Sequence, residues 1–244
     1  MEKQSNDREG VQLSYGVFLD LDTLGFITLR DEISVAHPLF PVFSEAFERI
    51  GLPGIPSTLS NEELQTHAAS FYESIYAEES NHCALLQQRW NQVGGIFLRY
   101  ANELFNYPYG GPMRFLAYPS IWRVYIQQPE QHAISFPLER DVRDQDEAFY
   151  VVLHELLHVF FFDFVGATGL LKDRSDVWDV SEIFNVLILQ QAQFADLYPK
   201  HSVISYPQHT DVVRDLQEVL PELHNAESII KTICRHVDDD GRAS

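Results

Sequence analysis

The feature that most constrains the fold is an apolar run, residues 149–162, that carries three strongly polar side chains. As a helix this run is apolar on nearly every side, and such a helix must be buried in a protein core. His154, Glu155 and His158 are then buried with it. Burying each of them without a partner costs roughly 1–3 kcal/mol, and more for a charged carboxylate. The sequence therefore requires that these three residues find partners inside the core.

The spacing of the three residues offers them one common partner. Residues four apart on a helix lie on the same face, so His154 and His158 can direct imidazole nitrogens at one metal ion. Glu155 lies one step around the helix, within reach of a water on that ion. This H-E-x-x-H arrangement is typical of zinc sites in which the glutamate is the general base of metal-assisted hydrolysis. The alternative is a chance pattern on a half-exposed helix, and the apolar surroundings argue against it.

Catalytic zinc usually takes three protein ligands, so one more residue is required. A layout with glycine and then histidine or aspartate downstream is excluded, because Phe161 and Phe164 occupy those positions. An aspartate roughly ten to twelve residues on is also excluded, since Thr, Gly and Leu fill positions 168–170. The remaining layout takes a glutamate from a later buried helix, and Glu182 lies in the apolar segment 180–190. We predict Glu182 as the third ligand; the alternatives are a core glutamate with another partner or a helix-start residue.

The H-E-x-x-H pentapeptide followed by Glu182 resembles the gluzincins, the thermolysin-like zinc metallopeptidases, over about residues 144–193. The resemblance implies a zincin-like core and hydrolysis of peptide bonds. In this family an Asn commonly precedes the ligand glutamate, and an Asp four residues after it orients the first histidine. Here Ser181 and Val186 stand at those positions. Asn185 is the candidate replacement as hydrogen-bond partner, and the alternative is an amide on the helix surface.

The same resemblance implies a peptide-binding edge strand upstream of the metal helix. Two runs read as strands, 121–126 and 132–136, and the second alternates and ends at Pro137, which suits an edge strand. A substrate could then pair with it by strand addition, although a plain structural strand explains the pattern equally well. Downstream of Glu182 a Tyr or His is expected to stabilise the oxyanion. The candidates are Tyr206, His209 and His201, and the alternative is a solvated loop side chain.

Composition limits the setting in which this chemistry would act. The formal net charge of −19 argues against nucleic acid and against anionic membrane surfaces as partners. Cys83 and Cys234 form neither a disulfide framework nor a zinc cluster, so we expect free thiols. The polar amino terminus lacks the apolar core of a signal peptide, and no apolar run is long enough for a membrane span. A cytoplasmic protein is expected, with signal-independent export and the oligomeric state left open.

The order of elements predicts an α+β protein. Residues 1–110 would form a helix-rich front part, with strands around 11–19 and 25–29 and a helix near 43–50. Ser60 and Glu63 form a capping box that opens a helix to about residue 77, and Ser80 would begin the next helix. Residues 111–244 would form the metalloprotease core, with a small, mostly antiparallel sheet, the metal helix and the glutamate helix.

These predictions lead to one main functional hypothesis and two rivals. The main hypothesis is a Zn²⁺-dependent endopeptidase acting on a peptide or protein, because the G-A-M-E-N segment of related aminopeptidases is absent. The first rival is a zinc-containing binding or regulatory protein with little or no activity. The second is a metal-free helical scaffold, which leaves the buried polar residues without partners.

Overall fold

The fold combines one small sheet with eight α-helices in the part of the chain described by the structure, a computed structural model. The described residues are 12–30, 40–52, 60–106, 114–199, 206–220 and 225–243. The strands are β1 (Gln12–Tyr15), β2 (Arg114–Ser120), β3 (Gln127–Gln128) and β4 (Ala133–Pro137). The helices are α1 (Leu19–Arg30), α2 (Phe40–Arg49), α3 (Asn61–Phe105), α4 (Gln145–Thr168), α5 (Val177–Leu189), α6 (Ala192–Ala195), α7 (Thr210–Val219) and α8 (Ala226–Ala243). The protein is thus α+β, as predicted, and it is helix-rich along the described chain.

The sheet is mixed, so the prediction of a mostly antiparallel sheet is wrong. Its strand order is β1-β2-β4-β3, with β1 and β4 both parallel to β2 and only β3 antiparallel to its neighbour. A parallel pair needs a long crossover connection. The chain between β1 and β2 supplies one, because it contains α1, α2 and α3.

The edge strand beside the metal helix is β3, not the run that the sequence favoured. Residues 132–136 fall largely in β4, which pairs with β2 on one side and β3 on the other and is buried along its whole length. The other run, 121–126, precedes β3 and is not a strand. The end of this run is bound to the sheet by Ser135 of β4. The Ser135 N–H donates to the Ile126 carbonyl (2.9 Å), and the Ser135 hydroxyl accepts from the Ile126 N–H (2.8 Å).

The front helices agree with the sequence in part. The capping box at Ser60 and Glu63 is confirmed, and the helix predicted near 43–50 is α2. The strand predicted at 25–29 is wrong, because those residues belong to α1. The helix start predicted at Ser80 is also wrong, because α3 runs unbroken for 45 residues. Residues 107–113, around the predicted domain boundary, lie outside the described residues, and the division at 110 stays a prediction.

Two hydrophobic clusters form the core, and the larger one surrounds α4. It joins α4 and α5 to α3, the sheet, α7 and α8. The smaller cluster joins α1, α2 and the first half of α3 to Ile121, Trp122 and Leu138. Both cysteines are free thiols, as expected.

Helix α4 is the central element of the larger cluster. Asp144 caps it by accepting from the Glu147 N–H (3.1 Å), and it ends at Gly169, whose φ of 67° suits a glycine. By length and composition the helix could cross a membrane, so the prediction that no apolar run is long enough is wrong, but 72% of its most apolar window is buried inside the protein. Core helices share this combination. The predicted burial of the H-E-x-x-H residues is confirmed for Glu155 and His158, while His154 is partly exposed.

Candidate metal centre

Three predicted ligands meet where α4 packs against α5. His154 and His158 lie one turn apart on α4, and their Nε2 atoms are 3.0 Å from each other. Glu182 on α5 places Oε2 3.2 Å from the His154 Nε2 and Oε1 3.2 Å from the His158 Nε2. No other group of three or more His, Cys, Asp or Glu among the described residues is placed to hold a metal.

The separations fit a divalent metal. Zinc bound tetrahedrally at 2.0–2.1 Å to nitrogen and oxygen implies about 3.3 Å between neighbouring ligand atoms. The observed 3.0–3.2 Å is close to that value. Two histidines and one glutamate are also a ligand set of catalytic zinc sites, although imidazole and carboxylate suit other divalent transition metals as well. The three side chains therefore fit zinc or another divalent transition metal.

Aromatic packing between α4 and α5 holds the ligands in place. Phe161 of α4 lies against Phe184 of α5, with ring centroids 5.3 Å apart, and Phe105 of α3 contacts Phe184 at 5.6 Å. Phe161 and Phe184 are fully buried. Because Phe184 lies two residues after Glu182, this contact fixes the turn of α5 that carries the third ligand.

Asn185 does not have the role predicted for it. The side chain is fully buried, and its Nδ2 donates to the backbone carbonyl of His154 (3.1 Å) rather than to a histidine ring. It is therefore neither a partner of the imidazole nor a surface amide, and it ties α5 to the backbone of α4. The Nδ1 atoms of His154 and His158 are buried and have no hydrogen-bond partner among the residues that the structure describes.

The carboxyls of the site have opposite pKa shifts. Burial by itself would raise the pKa of Glu182, but hydrogen bonds and charges from His154 and His158 outweigh burial and hold it at about 2. Burial raises the pKa of Glu155 to about 8; the charge of His154 opposes this shift and that of Glu182 adds to it. Glu182 is thus an anion suited to a metal ligand, while Glu155 is a carboxyl that can take up and return a proton.

The candidate metal centre opens onto a cleft of about 580 Å³. One wall is the segment that leads into β3, a second is α4, and the rest comes from α5 and the residues before α7. The lining is rich in aromatic side chains: Arg123, Val124, Tyr125, Ile126, Gln127, Tyr150, Val151, His154, Glu155, His158, Phe162, Trp178, Glu182, Tyr206 and Pro207. Glu155 and the three ligands thus face the same space, large enough for a peptide segment.

The two downstream candidates for the oxyanion occupy different places. Tyr206 lines the cleft, and burial, then the charges of Glu182 and Glu155, raises the pKa of its hydroxyl. His209 is buried beside the cleft, with its Nε2 2.8 Å from Asp179 and its ring 6.0 Å from that of Tyr206. Tyr206 is therefore the better placed donor. The contacts of His209 with Asp179 and with the Tyr206 ring instead stabilise the segment that contains Tyr206. His201 lies outside the described residues.

Sequence reasoning missed Tyr150 and Trp178. Tyr150 lies one turn before His154 on the same face of α4, and the two rings are 5.9 Å apart. Trp178 is 48% exposed and its ring lies 5.5 Å from that of Tyr206. The four-residue spacing before His154 is a signal that could have found Tyr150. Nothing comparable marks Trp178, because its place depends on a contact between distant segments.

Comparison with protein-family models, curated proteins and solved structures finds no match to this chain.

Proposed function

We propose that this protein is a zinc-dependent peptidase of the gluzincin type with a zincin-like core. One observation carries the proposal: His154, His158 and Glu182 converge at distances that suit zinc, and Glu155 faces the same cleft. A structural zinc site is closed by four protein ligands. Here three candidate ligands meet beside the carboxyl of Glu155, which is not one of them, and beside an open space, as in a hydrolytic centre.

Each residue of the cleft has a step in the hydrolysis. When bound, zinc supplies a Lewis acid that polarises the substrate carbonyl and acidifies water. Glu155 orients the attacking water and accepts its proton as the water oxygen bonds to the carbonyl carbon. Tyr206 donates its hydroxyl to the oxygen that becomes negative. Glu155 then passes the proton to the amine, and the bond between carbon and nitrogen breaks.

The cleft suits an extended peptide. Residues 123–127, which lead into edge strand β3 and include its first residue, form one wall of the cleft. A substrate strand can pair with this backbone. Tyr125, Phe162 and Trp178 supply apolar surface for side chains on either side of the cleaved bond. The expected substrate is thus a peptide or protein segment with apolar residues, cut internally.

A zinc-containing regulatory protein is the second candidate, and one observation favours it. Metal-binding histidines almost always donate their other ring N–H to a partner, and such partners sustain affinity and activity. The Nδ1 atoms of His154 and His158 lack one among the described residues. This protein would bind zinc without turnover, and the position of Glu155 in the cleft argues against it.

Replacing the proposed base separates the two candidates. Glu155→Gln should retain bound zinc and lose turnover of a fluorogenic peptide library by at least about 10². The matched control is Glu103→Gln, an exposed glutamate of α3 outside the cleft, which should keep both properties. Wild-type turnover that persists in Glu155→Gln removes Glu155 as base. Zinc binding with no turnover in the wild type favours the regulatory protein.

A further inference from the structure

Residues 121–128 form one segment, the cleft wall, of which 123–127 line the cleft. Helix α1 holds this segment at both ends. At its start, the Ile121 N–H donates to Asp22 Oδ2 (3.3 Å) and the Trp122 indole donates to the Asp22 carbonyl (3.1 Å). At its end, Gln128 Nε2 donates to the Leu21 carbonyl (2.8 Å). Two neighbouring residues of α1 therefore fix both ends of the segment whose middle, 123–127, lines the cleft.

Helix α1 lies very close to this segment. The ring of Phe26 stacks on Trp122 with centroids 3.9 Å apart. A Cβ added at Gly25 would stand 2.6 Å from Ile126 Cδ1 and 2.5 Å from Gln128 Nε2. Any larger residue at position 25 would therefore require the ends of these two side chains to shift.

Helix α2 contacts the wall at its bend. Arg123 has a φ of 58°, a left-handed conformation that is unfavourable for a residue other than glycine. Its guanidinium pairs with Glu45 of α2, and the two side chains are 39% and 61% exposed. Strained backbone persists where surrounding contacts determine it. Here those contacts come from α1 and α2, which together form the front brace.

Asp22 is the centre of the front brace. It is 2% exposed, and its Oδ2 also accepts from the Tyr72 hydroxyl of α3 (2.7 Å), which contacts the Pro119 carbonyl as well (2.7 Å). A buried carboxylate is costly unless hydrogen bonds satisfy it. The donors to Asp22 belong to α3 and to the start of the cleft wall, so its carboxyl joins these two elements.

We propose that Asp22 is a positioning residue, and that the front brace sets the cleft wall in the conformation that binds substrate. The inference about substrate rests on the proposed peptidase function, while the effect on the wall does not. Asp22 acts through Ile121 and Trp122 and touches neither substrate nor metal ligands. The front helices are then a working part of the site rather than a separate interaction module.

Variants of Asp22 test the front brace with two independent readouts. In Asp22→Ala, hydrogen exchange over residues 121–128 should rise about tenfold, because the Ile121 N–H loses its buried acceptor. KM for a peptide substrate should rise about tenfold as well, while kcat stays within about twofold and zinc is retained. Asp22→Asn keeps an acceptor oxygen, so its exchange over residues 121–128 and its KM should both match the wild type. Leu86→Ala, a buried change in the larger cluster, controls for general loss of stability.

The outcomes separate the brace from the function. A folded Asp22→Ala with unchanged exchange over 121–128 overturns the front brace, as does an equal rise of exchange in Leu86→Ala. If Asp22→Ala does not fold, Gln128→Leu replaces it: this change removes the donor to the Leu21 carbonyl of α1 and should raise exchange over residues 121–128, and no rise there overturns the proposal. If exchange over residues 121–128 rises in Asp22→Ala but the wild type cleaves no peptide, the front brace stands and the peptidase function is refuted.

Discussion

Removal of the Tyr206 hydroxyl tests the proposed mechanism most specifically. Tyr206→Phe removes one oxygen and leaves the ring, which packs against Trp178 at 5.5 Å and His209 at 6.0 Å. Tyr206 is 38% exposed, and changes at partly exposed positions cost little stability. Folding and zinc binding should therefore match the wild type.

The expected loss falls on catalysis alone. Removing one donor to an oxyanion costs about 2.7–4 kcal/mol, or 10²–10³ in kcat. Because the donor acts when charge develops on the oxygen, kcat and kcat/KM should fall together and KM should stay nearly constant. Steady-state hydrolysis of a fluorogenic peptide measures all three quantities, with metal content checked on the same samples.

Tyr150→Phe is the matched control, since Tyr150 lines the same cleft on the opposite side of His154 from His158 along α4. It should lose far less activity than Tyr206→Phe. Full activity in Tyr206→Phe would refute the assignment. A loss in Tyr150→Phe of 10²–10³ would transfer the donor role to that residue, and the same loss in His209→Gln alone would transfer it to His209.

Three further predictions concern stability and are measured by denaturant unfolding. Phe161→Ala should cost about 3–5 kcal/mol, because it empties the buried contact between α4 and α5, and zinc affinity should weaken with it. Burial raises the pKa of Asp22 from 3.8 to about 7, so the wild type should lose stability as pH rises between these values, by up to about 4 kcal/mol, and Asp22→Asn should escape this loss. Equal pH profiles for the two proteins would contradict that shift. Ser60→Ala should cost about 1 kcal/mol by removing the capping box of α3, and an unchanged midpoint would contradict it.

The centre of the site could be predicted because its information is local. The positions of His154 and His158 follow from helical spacing, and the apolar run around them identifies a buried helix. Glu182 required elimination among layouts, yet its own segment is apolar enough to be recognised as a second buried helix. The structure places the three residues together where these patterns predict.

The cleft wall could not be predicted because its information is not local. Strand β3 has two residues, too few to show an alternating pattern. The run at 25–29 reads as a strand, but tertiary contacts of α1 with Trp122 and Gln128 make it helical. Ser80 is a good helix start, and α3 continues through it because His82, Cys83 and Leu86 extend the buried stripe. Long-range packing decides each of these elements.

The metal content of the purified protein tests the central claim most directly. The wild type should contain one zinc ion per chain, measured by elemental analysis after dialysis against a weak chelator. His158→Ala and Glu182→Gln should each lose it, because each removes one of three ligands. Glu155→Gln should keep it. A folded wild type that contains no metal and takes up none from added zinc would contradict the account, and so would zinc retained in both ligand variants.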